Sequence, residues 1–237
     1  GLLRSDATRL NAPYLKFRRI GLPHVHLKFA VSLDGRVAAQ DGSALSISSD
    51  ESRARVHRLR SQVDAVLVGI GTVLSDDPRL TDRRPEGGKR QPARIVIDST
   101  LRMPDRAALV VGASEHRTII VAGSGADAER RRRLERAGME VWTARAGNGG
   151  LDLEEVLRRA AQEGLIDILC EGGPQLATSL LNACLVDRIS FFVGPSLIGA
   201  PAPAALGRMR LDDMIISEGQ WSTVGSDALF EAVITHE

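Results

Sequence analysis

Carboxylates in awkward places are the first candidates for chemistry in this chain. Asp76 and Asp77 stand side by side before Pro78 in VGIGTVLSDDPRL, residues 68 to 80. Neighbouring carboxylates repel, and the C-terminal end of a strand is where open α/β sheets take ligands. The stretch opens with Gly69-x-Gly71 after an apolar run, as a dinucleotide fingerprint does, but Leu74 holds the place of the third glycine and no long helix is expected to follow. The glycines serve either a ligand or only a tight turn.

Glu171 closes a second apolar run in CEGGPQL, residues 170 to 176. A carboxylate there is costly to bury without a partner, so it calls for a ligand or a cation. Gly172-Gly173-Pro174 lets backbone amides approach a phosphate at the start of the next helix; the plain alternative is a glycine turn with a solvated glutamate. Lys28 interrupts the apolar strand of LKFAVSLDGRVA, residues 27 to 38, and is either a site residue or a lysine on a wet sheet edge. Asp34-Gly35 in the same segment makes a turn whose backbone is open to a ligand. Arg60 and Arg83 suit an anionic group through their guanidinium forks, or are ordinary surface arginines. The run Arg130 to Arg133 reads as a solvated helix face, with a cofactor 2′-phosphate as the other possible role.

These groups need strand ends and helix starts to hold them. Strands are predicted at His24 to Ser32, Ala65 to Ile70, Arg94 to Asp98, Thr118 to Ala122, Glu140 to Thr143 and Ile166 to Cys170. Helices are predicted from Asp50 to Arg60, over AERRRRLERAG as far as Gly138, from an Asp152/Glu155 capping box toward Gly164, and over LATSLLNACLV. Ser5 to Arg19 has a helical spacing of Leu10, Tyr14 and Phe17 that Pro13 weakens. The tail reads as strands only: RISFFVG, Trp221 to Val224 and Leu229 to Ile234. Residues 82 to 92 read as an exposed loop. The alternation predicts an α/β fold, with a mainly parallel sheet covered on both faces and closed by antiparallel strands near the C-terminus.

At 237 residues the chain can bury a core without staples. The 31 basic and 30 acidic residues nearly cancel, which argues against a nucleic-acid binder. Cys170 and Cys184 lack metal-site spacing and read as reduced cytoplasmic thiols, so no metal is expected. No apolar run is long enough to span a membrane, and the N-terminus is too charged for a signal peptide. A start at Gly1 without methionine suggests processing or a piece of something longer.

Taken in order, LKFAVSLDGRVA, RLRSQVDAVLVGIGTVLSDDPRLTDR, RIVIDS, CEGGPQLATSLL and VDRISFFVGPSLIG resemble the reductase domain of riboflavin biosynthesis. That domain is the C-terminal half of bacterial bifunctional deaminase-reductases and is similar in fold to dihydrofolate reductase. The resemblance implies a reductase domain over 23–237 after a linker-like segment, 1–22, that joins deaminase to reductase in the fusions. The deaminase's His/Cys zinc signature is absent from the sequence, so deamination is not expected.

The resemblance further implies an NADPH-dependent oxidoreductase. It would convert the ribosyl group of 5-amino-6-(5-phosphoribosylamino)uracil to ribityl, commonly as a homodimer for which RISFFVG is a contact. By resemblance Arg60 and Arg83 would hold the substrate phosphate, Leu80 would contact substrate, and Glu171 would accept from the pyrimidine edge. Ala30, Thr72, Asp76, Ser99 and the run Gly173, Pro174, Gln175, Leu176, Ala177, Thr178, Ser179 would hold the cofactor, with Lys28, Asp76 and Glu171 as the catalytic set. One segment departs: relatives carry Ser-x-Trp-Ile-Ser/Thr where this chain has Ala44-Leu45-Ser46-Ile47-Ser48, with Ser43 a substitute for the missing serine and no aromatic for the tryptophan. Three other readings stand beside this one: the 2,5-diamino pyrimidine as substrate, a folate- or pterin-like substrate, and a non-catalytic scaffold or ligand-binding domain.

Overall fold

A computed structural model describes residues 4–85, 87, 90–147, 149–209 and 214–236. Two short helices, α1 (Arg4–Leu10) and α2 (Ala12–Ile20), precede the sheet. Pro13 sits in the first turn of α2, where its missing N–H has no intrahelical partner to lose, so it starts the helix instead of weakening it. Gly21 ends α2 in the left-handed region, φ 68°.

The remaining elements, in chain order, begin with β1 (His24–Ser32), α3 (Asp50–Gln62), β2 (Ala65–Gly69), α4 (Ile70–Asp76), β3 (Ala93–Ile97) and α5 (Ala108–Val111). A 3-10 turn at Gly112–Ser114 leads to β4 (Thr118–Gly123), α6 (Ala128–Arg136), β5 (Glu140–Ala144) and the small hairpin β6 (Ala146–Gly147) and β7 (Gly150–Leu151). Last come α7 (Leu153–Gln162), β8 (Asp167–Cys170), α8 (Pro174–Asn182), β9 (Arg188–Gly194), β10 (Met214–Val224) and β11 (Asp227–His236).

Nine strands form one sheet in the order β10-β11-β9-β1-β8-β2-β3-β4-β5. All neighbours from β9 to β5 are parallel, and β9-β11 and β11-β10 are antiparallel. Alternation along the strands divides the apolar residues between two faces. Ala65 and Leu67 of β2 pack in a core with Val156 and Leu157 of α7 and Leu176 and Leu180 of α8. Val66 and Val68 pack in another with Ile70 and Val73 of α4, Leu109 of α5 and Leu134 of α6. A third, small cluster joins Val56 of α3 to Phe192 and Leu229.

Four expectations need correction. The stretch after β2 is helix α4, not a turn: Gly69 is its N-cap and Gly71 lies inside it, held helical by the burial of Ile70 and Val73. The helix expected over 176–186 begins at Pro174 and stops at Asn182, because Cys184 takes a left-handed conformation, φ 55°. The loop at 82–92 is not uniformly exposed, since Asp82 is buried in a salt bridge with Arg84; residues 86, 88 and 89 lie outside the described set. RISFFVG is β9, hydrogen-bonded to a strand on each side, so its backbone cannot pair with a second copy. The edge strands are β10 and β5, and on β10 Ile215, Ile216 and Trp221 are open to solvent.

Candidate active site

A cleft of about 700 Å³ opens across the C-terminal ends of β1, β8, β2 and β3. Lys28 and Ala30 come from β1, Thr72, Ser75 and Asp76 from α4, and Ser99 and Arg102 from the segment after β3. Glu171 to Gln175 form its floor at the start of α8, and Ala44 and Leu45 reach it from the loop after β1. Gly194 admits that loop: a Cβ there would collide with the Ile47 carbonyl oxygen. Another hollow, about 590 Å³, lies between β5 and α7 but holds none of the candidate residues. Its charges answer one another, as Arg145 does Glu155, and Arg159 stacks on the Trp142 ring at 4.4 Å.

Glu171 follows β8 and meets Arg60 of α3 in a two-pronged pair, Nε to Oε1 at 2.6 Å and Nη2 to Oε2 at 3.0 Å. A third donor, Nη1, gives to the Thr81 carbonyl at 3.1 Å. Burial pushes the Glu171 carboxyl upward, but the Arg60 guanidinium outweighs it, with Lys28 adding, and the group stays below the usual carboxylate range. Lys28 is also lowered from its ordinary value, but by burial: the attraction of Glu171, which Arg60 counteracts, does not restore it. A half-buried lysine beside a paired carboxylate can give up its proton more readily than one in water.

The start of α8 is built to meet an anion. Its N-cap, Gly173, has no side chain to bond the first helical amides, and Pro174 at the first turn has no amide of its own. The amides of Gln175 and Leu176 precede the first intrahelical bond, from Ala177 N–H to the Gly173 carbonyl. Thr72 Oγ1 accepts the Gly173 N–H at 3.1 Å and thereby ties α4 to this turn. Gly172 leaves room for Leu176, whose Cδ2 would stand 2.7 Å from an added Cβ. Gly71, Gly149 and Gly150 leave open space where a side chain would begin. Unfilled backbone donors at a helix start, with glycines around them, fit the pyrophosphate of a dinucleotide. Among the described residues no group of three or more His, Cys, Asp or Glu side chains could hold a metal ion.

Comparison with known proteins places this geometry. The family model described as the RibD C-terminal domain matches residues 23–230. The chain belongs to the RibD C-terminal domain family. The riboflavin biosynthesis protein RibD of Actinobacillus pleuropneumoniae is 33% identical over 99% of this chain and 63% of its own length. A structure of Acinetobacter baumannii RibD superposes with a TM-score of 0.82 at 26% identity, covering 97% of this chain and 63% of that one. A Thermotoga maritima diaminohydroxyphosphoribosylaminopyrimidine deaminase/5-amino-6-(5-phosphoribosylamino)uracil reductase shares the fold at a TM-score of 0.78 and 24% identity, over 99% and 63% of the two chains. The chain thus spans less than two thirds of the length of these relatives.

Within this RibD C-terminal domain, Lys28, Ala30, Thr72, Asp76, Ser99, Glu171, Gly173, Pro174, Gln175, Leu176 and Ser179 share the cleft. Arg60 lies behind it, committed to Glu171. Leu80 is buried in the core with a left-handed backbone, φ 55°, and does not line the cleft. Arg83 is exposed, and its guanidinium makes no salt bridge among the described residues. Ala177 belongs to the core, and Thr178 Oγ1 accepts the Gly207 N–H at 2.8 Å, so neither lines the cleft. Asp34 does not meet it either: its carboxylate accepts the N–H groups of Ile198 and Gly199 and the Ser32 hydroxyl, which hold its pKa down to about 2.

Ser46 accepts from Arg53 and Ser43 donates to Asp41, so the apolar wall of the altered loop is Leu45. Sequence reasoning missed His57, whose Nδ1 lies 3.1 Å from the Thr81 carbonyl and 3.2 Å from the Arg83 amide and so braces the loop carrying Arg83. Its position three residues before Arg60, on the same helix face, was the available signal.

Proposed function

We propose that this chain is an NADPH-dependent reductase that converts the ribosyl group of 5-amino-6-(5-phosphoribosylamino)uracil to ribityl, the reaction named for the Thermotoga relative. One observation carries the reading: Lys28, Asp76 and Glu171 line the same cleft as the uncapped start of α8. Family membership and the riboflavin-pathway relatives support it.

The cofactor supplies a hydride for the sugar C1. This chain's residues prepare that carbon. Glu171, held by Arg60, keeps lone pairs for the N–H groups of the pyrimidine. Lys28 gives its proton to the ribose ring oxygen as the C1–O bond breaks and the amine nitrogen forms the C1=N bond; Asp76 is the second proton-handling group. Reduction at C1 then leaves the ribitylamine. Arg83 clamps the distant phosphate, and that binding energy aligns C1. The working unit is a cytoplasmic homodimer paired through the β10 edge, beside a deaminase domain of the kind carried by the longer relatives.

Mixing the protein with NADPH and the pyrimidine ribosylamine phosphate, while following nicotinamide absorbance and the ribityl product, tests the reading. Turnover is expected, with a higher kcat/KM for the deaminated pyrimidine than for its 2,5-diamino counterpart. No consumption with either pyrimidine would refute it, and oxidation with dihydrofolate alone would move the activity to a pterin-like substrate.

A further inference from the structure

We infer that Arg102 is the residue that selects a 2′-phosphorylated dinucleotide, by pairing with the phosphate on the adenosine ribose; the inference rests on the cofactor reading above. Among the described residues, Lys28 and Arg102 are the lysine and arginine side chains lining the cleft, and they stand at opposite ends of it. Lys28 is on β1 and Arg102 follows β3, with β8 and β2 between them, three strand spacings or roughly 14 Å apart across the sheet. With the reacting end at Lys28 and Glu171 and the pyrophosphate at α8, the adenosine half falls on the β3 side, between Ser99, Arg102 and the Gly149–Gly150 turn.

The loop is arranged to present this side chain. Leu101 is fully buried and adopts φ 56°, a left-handed conformation unusual for leucine. Its N–H donates to the Asp98 carbonyl at 3.1 Å, and its own carbonyl accepts Arg130 Nη1 at 2.6 Å. On the other side the Met103 N–H donates to Asp98 Oδ2 at 2.9 Å. Both neighbours are thus fastened inward, while the Arg102 side chain is 57% exposed. Asp98 Oδ1, buried without a hydrogen bond, lies 3.8 Å from Arg102 Nε and leaves the two Nη groups for a bidentate phosphate contact. The basic run on α6 has other duties: Arg130 holds Leu101, Arg131 holds Thr143 and Arg133 faces Asp105. The run positions the Arg102 loop and does not itself reach the cleft.

The test compares binding of NADPH, NADH, 2′-AMP and 5′-AMP by titration calorimetry to the full chain, to Arg102→Gln and to the exposed control Arg132→Gln. Arg102→Gln is expected to weaken NADPH and 2′-AMP by about 10- to 100-fold, the loss of a charge-assisted pair. NADH, 5′-AMP and the Arg132→Gln control should stay within about 2-fold, and the NADPH preference of the unaltered chain should shrink as salt rises. Equal weakening of all four ligands, or unchanged discrimination, overturns the inference while leaving the cofactor reading intact. If neither dinucleotide binds the unaltered chain, the cofactor reading falls and the inference with it.

Discussion

Removing the Glu171 charge should damage stability and activity for separate reasons, and the Arg60 pair lets the two be told apart. The side chains are 12% and 9% exposed and share hydrogen bonds of 2.6 and 3.0 Å. Unit charges about 4 Å apart at an effective dielectric of about 20 attract by about 4 kcal/mol. Loss of one partner from a buried pair costs about 3–5 kcal/mol, mostly for stranding the other charge. Glu171→Met and Arg60→Met should each lose that much, measured by urea unfolding. The double variant should lie within about 1 kcal/mol of the parent, because no member of the pair is left stranded. Turnover should be lost in Glu171→Met and stay lost in the double variant, since the pyrimidine has no acceptor. A double variant no more stable than Glu171→Met would refute the pairing argument, and one with restored turnover would make Glu171 a structural ion only.

Three further outcomes are expected. His26 is held down to about 3, chiefly by burial and then by Arg188, so the fold favours its neutral form; that contribution is complete above pH 6.5 and is lost as pH falls toward 3. Between pH 7 and 5 it should cost about 2 kcal/mol of unfolding free energy, and His26→Gln should flatten the slope; an unchanged slope would count against the assignment. Thr72→Val strands the Gly173 N–H and should weaken dinucleotide binding by about 3- to 10-fold, with Thr72→Ser close to the parent, as read by calorimetry. Arg94, buried among the carbonyls of Gly112 and His116 with its pKa lowered by burial to about 10, should cost about 3 kcal/mol when changed to Met and leave KM unchanged.

The fold was legible because its signals are local. The apolar run Ala65 to Val68 reads as a strand on its own, and Asp152 reads as a helix start because its carboxylate accepts the N–H of Glu155, three residues on. The other half of that expected capping box was not legible: Glu155 turns to the Arg145 backbone and side chain, partners brought near by the β5 turn. The helix after Gly69 escaped for a similar reason. Gly71 has poor helix propensity, and only the burial of Ile70 and Val73 against the sheet overrides it. In the site, Glu171 could be singled out as a carboxylate needing a cation, yet that cation stands 111 positions earlier in the chain. Arg60 and Arg83 looked equivalent in sequence; burial separates them, one facing a carboxylate and the other open to solvent.

That separation has a consequence for the lysine. Burial lowers the Lys28 pKa, and Glu171 alone would pull it back up. Arg60 prevents this twice over, by neutralising the carboxylate it grips and by adding its own positive charge nearby. A proton donor is most effective when its pKa is near the working pH, and an ammonium fully stabilised by a free carboxylate would hold its proton too tightly. Arg60 is thus committed to Glu171, and in the proposed reaction the substrate phosphate would be answered by a cation with no such commitment. Arg83, exposed and braced at its backbone by His57, meets that requirement. In the proposed reaction the two arginines that sequence could not tell apart would therefore act on different parts: Arg60 on the proton, Arg83 on the phosphate.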